Sequence, residues 1–399
     1  VNLSALTTFA RGTGGHKGAR NDRRSMRDWN PLAQSADADN CPDLADLRAR
    51  SRDLARNAPL ATGAIHTAVT SVIGSGLRHQ AKIDRTVLGL SDADAEAWER
   101  DAERLFRWWS RECDVTRDQD FGELQDLAFR SVLESGDVLV VRRFVERLGD
   151  PLATRIQFVE ADRIATPPEL SSNPRVIEGV EIDSNGAPLR YHLRNFYEHD
   201  FGSLAGGVPE WTTVPAFGPS GARSALHLFR RTREGQHRGI PYLAPVIESL
   251  KQLDRYTEAE LMAAVVSGLF TVVTWTEDAQ GIANEEEDTE IGRENPKLAK
   301  DEIALGNGKV ITLAPGERAE SFNPGRPNTA FDPFVMAILR QVGVALEMPF
   351  EILVKHFTAS YSASRAALME AWRFFSVRRE WVAKRFCQPC YEWFLAEAI

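Results

Sequence analysis

Cysteine is scarce in this sequence, with four among 399 residues. That is too few to staple a fold, so a reducing compartment is the expectation. Long apolar runs are missing as well. No stretch reaches the roughly 18 apolar residues that read as a membrane-crossing helix, and no membrane partner is expected. The chain opens at Val1 without the charged-then-apolar pattern of a secretory signal. The expectation is that its first residues were trimmed or that numbering starts inside the gene product. Positive charge is in deficit, 48 basic residues against 57 acidic ones and a net charge of −9. A protein that grips nucleic acid with its whole surface needs clustered Lys and Arg, so that class is disfavoured.

Catalytic signatures are also lacking. There is no G-x-x-x-x-G-K-[ST] phosphate loop, and Gly306-Asn307-Gly308-Lys309 lacks its spacing. Neither G-x-S-x-G nor H-E-x-x-H occurs. The eight histidines are scattered, with no carboxylate or thiol at metal-ligand spacing. Cys387-Gln388-Pro389-Cys390 is the one tempting pattern. A redox pair needs a helix N-terminus in a thioredoxin-like setting, whereas this pair follows a long helical pattern, and its proline predicts a helix break nearby. Ordinary buried thiols are the favoured reading, ahead of a metal site or disulfide. Trp108, Trp109, Trp372 and Trp381 fall at helical spacing, which favours core packing over base stacking. No catalytic residue, metal or cofactor is therefore assigned.

What is present is ordinary globular composition, 43% hydrophobic and 26% charged, over enough length for two or three units at roughly 150 residues each. Residues 1–27 carry six bases against one acid and, with the glycines among them, read as a disordered basic tail. Residues 43–70 read as helix interrupted at Pro59, and 71–83 as strand-like. Ser91 caps a helix with Trp98, Ala102, Leu105, Phe106 and Trp109 on one face. A helix over 122–134 follows, then strands at 138–144, 155–160, 176–182 and 188–196, with Ser184-Asn185-Gly186 as a hairpin turn. Residues 43–235 thus form a mixed α+β unit.

The second half differs. A long amphipathic helix over 241–267 carries Pro245 in its first turn. Another helix over 333–347 opens on Asp332 as N-cap and Pro333 at its first position. Between them lie strands at 270–275 and 309–313 around an acidic segment, 277–302, with ten acids and three bases. Two helices of this kind suit an antiparallel pair that holds the insert at one end, the first of them roughly 40 Å long. So narrow a pair needs neighbours, and identical neighbours in a closed ring supply them. A last helix begins at Ser362 or Ser364.

Short strings in order then carry a resemblance. They are Ser51-Arg52-Asp53-Leu54-x-Arg56-Asn57-x-Pro59, Gly63-Ala64-Ile65, Val72-Ile73-Gly74-x-Gly76-Leu77, Cys113-Asp114-Val115 with Phe121-Gly122-Glu123-Leu124-Gln125, Glu134-Ser135-Gly136-Asp137, Glu160-Ala161-Asp162-Arg163, Glu178-Gly179-Val180-Glu181, Gln236-x-Arg238-Gly239-Ile240-Pro241 and Tyr361-Ser362-x-x-Arg365. Over about residues 50–395 the chain resembles the lambda-family phage portal proteins. Ser360 departs from the Asn usual there, and family members continue past the point where this sequence reaches Ile399.

The resemblance implies a portal fold of the α+β class: basic arm 1–50, α+β wing 51–238, stem helices 239–267 and 326–349, a small β-containing clip 268–325, tunnel loop 350–364, and a long helix 365–399 returning to the wing and leading to a crown missing here. It implies a ring of about twelve copies at one capsid vertex, through which double-stranded DNA is packaged and ejected. The implied partners are the terminase large subunit, a head–tail adaptor, and the major capsid or scaffold protein. The implied place is the virion, with assembly in the host cytoplasm. A conduit must pass DNA without holding it, and net negative charge leaves only local contacts. Those are expected at Lys355, His356, Thr358, Ser360, Tyr361 and Ser362. Glu285, Glu286, Glu287 and Asp288 are the expected docking surface for a basic partner. The alternatives are a DNA-processing, metal-dependent nuclease using Asp118, Asp120 and Glu123, or a different capsid adaptor or scaffold protein.

Overall fold

The structure, a computed structural model, describes residues 16–20, 22, 24–195, 197, 210–268, 272–276, 317–321, 328, 330–357 and 360–398. In chain order the helices are α1 (Ala36–Asn40), α2 (Leu44–Asn57), α3 (Pro59–Val72), α4 (Arg85–Leu88), α5 (Asp92–Trp109) and α6 (Phe121–Ser135). Strands β1 (Asp137–Phe144), β2 (Thr154–Glu160), β3 (Val176–Ile177), β4 (Val180–Ile182), β5 (Pro188–Arg194), β6 (Trp211–Pro215) and β7 (Ala225–Phe229) follow. The remainder is α7 (Ile247–Gly268), β8 (Val272–Thr276), β9 (Glu317–Ser321), α8 (Phe331–Ala345), α9 (Phe350–Leu353), α10 (Tyr361–Val382) and α11 (Gln388–Ala398). Contacts divide the chain into a sheet unit, Val1–Arg48 with Ser135–Ile240, and a helical unit, Ala49–Glu134 with Pro241–Ile399.

In the sheet unit, β1 lies between β2 and β7, and a second antiparallel sheet runs β3-β4-β5-β6. Leu139 and Val141 of β1 share a core with Val159, Val180, Tyr191, Leu193 and Val214. The single strand expected over 176–182 is instead a hairpin. Ile177 pairs with Val180, and Glu178 and Gly179 between them have φ of 43° and 82°. Two consecutive left-handed residues make the tight turn whose twist suits a two-residue hairpin. A Cβ on Gly179 would sit 2.5 Å from the Ala165 nitrogen, so glycine is required there for space as well as for φ. Of the expected N-terminal arm, 1–50, residues 1–15 lie outside the described residues, whereas 34–39, beyond the basic stretch 1–27, is tied down. Asp37 accepts from the His237 backbone N–H at 2.9 Å and lies 2.7 Å from its Nδ1. Arg233 bonds both Asp39 and the Gln34 carbonyl.

The deepest feature of this unit is a carboxylate. Asp137, at the start of β1, is fully buried. It accepts from Arg238 Nε at 2.7 Å, Arg48 Nη2 at 2.8 Å and the Gly239 N–H at 3.1 Å, and lies 3.0 Å from His227 Nε2. The other donors of Arg238 go to the carbonyls of Ala161, Ile164 and Glu178. Arg48 also donates to the Ser135 carbonyl and to Asp162. Gly136 and Gly239 meet backbone to backbone, and a Cβ on Gly239 would be 2.0 Å from the Gly136 carbonyl oxygen. Burial would raise the Asp137 pKa, but the two guanidiniums and the His227 bond hold it well below 3.8. Burial lowers His227 below 6.5, against the pull of Asp137.

In the helical unit, Phe106 is the centre of an aromatic cluster with His79, Trp109, Phe121, Tyr391 and Phe394, at ring separations of 4.9–5.5 Å. The strand-like segment 71–83 is no strand. The helix α3 runs on to Val72, and Gly74 and Gly76 turn the chain with positive φ. The extended residues beyond are satisfied by side chains in place of a neighbouring strand. Gln125 accepts from the Leu77 N–H and donates back to its carbonyl, Glu103 accepts from Ala81 N–H, and Glu99 from Ile83 N–H. Pro59 opens α3 at its first position, as the interrupted pattern requires.

Helices α7 and α8 are antiparallel. Tyr242, just before α7, donates to the Leu346 carbonyl just after α8, while Tyr256 stacks on Phe331 and meets Phe334 at the other end. The Pro245 segment is a 3-10 turn, Ala244–Val246, ahead of α7. The helix α8 starts at Phe331, so Asp332 and Pro333 sit inside its first turn, and the Asn328 side chain accepts from the Ala330 N–H. Between the helices β8 and β9 pair antiparallel, Val272 opposite Ser321. The strand expected at 309–313 and the acidic segment 277–302 lie outside the described residues. Pro389 does not break the last helix. A π-turn over Ala383–Cys387, closed by the Gln388 N–H on the Ala383 carbonyl, joins α10 to α11. The turn lies immediately before the proline, which has no N–H to continue the α-helical ladder.

Asp137→Asn keeps the shape but leaves the buried Arg238 without its counter-ion and Arg48 with Asp162 alone, and should cost about 3–5 kcal/mol in urea unfolding. Both downward shifts mean that the folded chain binds fewer protons than the unfolded one. Stability should therefore be full above pH 6.5, fall below it as unfolded His227 protonates, and fall again below 3.8 through Asp137. His79, lowered by burial as well, adds to the first step, so His227→Gln should reduce that step without abolishing it, and an unchanged profile would contradict the assignment.

Candidate functional site

The segment between α8 and α10 is built from two helix ends of one design. After α8, Glu347 is left-handed (φ 53°) and the Met348 N–H reaches back to the Gly343 carbonyl at 2.9 Å. After α9, Lys355 is left-handed (φ 54°) and the His356 N–H reaches the Glu351 carbonyl at 3.2 Å. These are Schellman closures, and the left-handed position in them favours glycine. A charged residue there costs roughly 1 kcal/mol in backbone strain. Glu347 faces Arg378 at 3.5 Å, and that guanidinium lies 4.8 Å over Phe374. Lys355 and His356 are exposed, as is Phe357.

The expected DNA-facing residues therefore fall in two groups. Lys355 and His356 share the turn after α9. Ser360, Tyr361 and Ser362 open α10, where the Ser360 carbonyl accepts from the Ser364 N–H at 2.9 Å and the Ser360 and Ser362 hydroxyls lie 3.4 Å apart. All five are exposed. Thr358 lies outside the described residues, and so do Glu285, Glu286, Glu287 and Asp288.

Other residues singled out by the sequence have structural tasks. The Asp120 side chain accepts from the Glu123 N–H at 2.9 Å, and the Glu123 side chain from the Asp120 N–H at 2.8 Å. This reciprocal pair is a capping box at the start of α6. Burial pushes Cys387 up to about 12, and burial, with Cys387 and Cys113 nearby, also raises Cys390 well above the usual thiol value. Both are protonated thiols at neutral pH. Among the described residues no group of three or more His, Cys, Asp or Glu is placed to hold a metal ion. Core packing holds for Trp109 but not for Trp108 and Trp372, which are 41% and 54% exposed. The buried face of α10 is Ala371, Phe375 and Val382, and Trp372 stands beside it. Its ring lies 5.1 Å from the Arg379 guanidinium, which donates to the last carbonyls of α3, Ser71 and Val72.

The family strings also meet in space. Ser135-Gly136-Asp137, Ala161-Asp162, Glu178-Gly179 and Arg238-Gly239 all contribute to the closure around Asp137. A family model for phage portal proteins of the lambda family matches residues 22–379. The chain belongs to that family. It is 27% identical over 412 residues to portal protein B of Escherichia phage lambda, covering 99% of this chain and 76% of that protein. To the portal protein of Escherichia phage N15 it is 26% identical over 417 residues, covering 100% and 78%. Among solved structures, a chain in the virion of a native gene transfer agent particle aligns with a TM-score of 0.50 at 12% identity, covering 86% of this chain and 81% of that one. That likeness concerns the fold, which here is the α+β portal fold. The role that family membership carries is that of a structural portal at a capsid vertex.

Because Lys355 is left-handed, Lys355→Gly should be more stable than Lys355→Ala by roughly 1 kcal/mol in denaturant unfolding. Equal stabilities would show that the turn is not closed in this way in solution.

Proposed function

We propose that copies of this portal chain close into a ring of about twelve and that double-stranded DNA passes through it during packaging and ejection. The loop between α9 and α10 is its DNA-facing edge. The observation that carries this reading is the exposed Lys355 turn. A strained closure holds a cation out into solvent, followed within a few residues by the hydroxyls of Ser360, Tyr361 and Ser362. Hydroxyls and one cation per copy touch phosphates without reading sequence. With a net charge of −9 on the whole chain, such contacts stay too few to trap DNA.

The same reading makes the acidic segment with Glu285, Glu286, Glu287 and Asp288 a docking surface for a basic partner, the terminase large subunit first and a head–tail adaptor later. The major capsid or scaffold protein would surround the ring. The chain would act without catalysis, a separate motor supplying the work, in the virion after assembly in the host cytoplasm. The nuclease alternative loses ground because Asp120 and Glu123 are engaged in capping α6.

Lys355→Ala and Lys355→Gly should both alter packaging or DNA retention while leaving ring assembly intact. The two differ in loop strain but share the loss of charge, so a common defect assigns the effect to the cation. Normal packaging and retention in both would remove this loop from the mechanism. Changing Glu285, Glu286 and Glu287 to Gln should weaken terminase or adaptor binding at low salt, and unchanged binding would remove the acidic surface.

A further inference from the structure

Two helices of the helical unit carry the same exposed pattern with opposite charge. On α7, Asp254, Glu258, Leu261, Met262 and Val265 fall at i, i+4, i+7, i+8 and i+11. On α10, Tyr361, Arg365, Leu368, Met369 and Trp372 fall at the same offsets. Those offsets place each set on one helical stripe. The apolar members are 51–65% exposed on α7 and 49–82% on α10, Tyr361 included, while Leu250 and Leu253 of α7 and Phe375 of α10 are 3–5% exposed. Each helix thus has a satisfied core face and a second apolar stripe whose members are about half exposed or more. One stripe is headed by acids and the other by Arg365.

We propose that the α10 stripe of one copy packs on the α7 stripe of the next copy, with Arg365 against the acidic head formed by Asp254 and Glu258. This rests on the ring reading above and names the surfaces that would close it. The occupant is a second copy because the complementary surface is present on the same chain: apolar meets apolar, and base meets acid. A face that complements a different face gives a head-to-tail contact, the kind from which rings are built when the rotation closes, and not a two-fold dimer. Trp372 has the properties of an interface anchor. It is large, it is exposed in the single chain, and it is held in place by Arg379, whose own donors are fixed on Ser71 and Val72.

The test uses the full chain, with assembly followed by native mass spectrometry and folding by circular dichroism. Arg365→Glu and Glu258→Arg should each remain folded and raise the concentration for half-assembly at least about tenfold. The double variant, and a mixture of the two single variants, should assemble again, because every α10 then meets an α7 of opposite charge. Trp372→Ala should weaken assembly to a similar degree with no charge change. Rings that persist in both single variants would overturn the interface and leave the ring reading standing. So would single-variant defects that neither the double variant nor the mixture repairs. Rescue of Arg365→Glu by unaltered chains alone would indicate α10 packing on α10 and would also overturn it. A native chain that forms no rings would instead defeat the ring reading itself.

Discussion

The sheet unit depends on keeping one carboxylate ionised where water cannot reach it. Asp137 is buried among two arginines, a histidine and a backbone N–H, which arrive from three separate stretches of chain. Arg48 lies on α2, His227 on β7, and Arg238 and Gly239 in the segment between β7 and α7. A buried ion pair adds little net stability when both partners are present, but it is costly to break. Separating any of these segments would leave a buried charge short of its partners, which opposes rearrangement. The bare backbones of Gly136 and Gly239 let the segments approach closely enough for the bonds to form.

The helical unit follows a different logic. Its aromatic cluster, the Gln125, Glu99 and Glu103 side chains that satisfy residues 77–83, and the Arg379 cap on α3 all fix a frame. On the reading proposed above, the parts that bear on function stand at the margins of that frame. Two strained helix ends carry Glu347 and Lys355, and the proposed contact stripes of α7 and α10 are exposed. A portal protein needs this division, because its channel and partner surfaces must be accessible while the body keeps its shape.

Much of this was legible in the sequence. Periodicity gave α5, α6, α7 and α8, and the ordered short strings gave the family. Periodicity failed where a local rule was replaced by a tertiary one. Residues 71–83 looked like a strand because extended backbone there is satisfied by side chains of α5 and α6, a long-range arrangement that no window of sequence contains. The hairpin at Glu178-Gly179 was hidden inside one β-rich run, although a glycine after a polar residue was the available signal. Pro389 predicts a helix break nearby, and the chain instead passes through a π-turn into α11. Trp372 was assigned to the core because spacing identifies a helical face but not whether the same chain covers it. The closure around Asp137 was invisible as an ion cluster because its members lie up to 190 residues apart (Arg48 and Arg238). Its strings were nonetheless among those that carried the resemblance.

The central claim is that this chain builds the wall of an open channel from copies of itself. Native mass measurement together with negative-stain imaging of the purified chain tests it most directly. The account predicts a closed multimer that appears end-on as a ring with a central hole. A homogeneous monomer at concentrations where the chain is folded would contradict it.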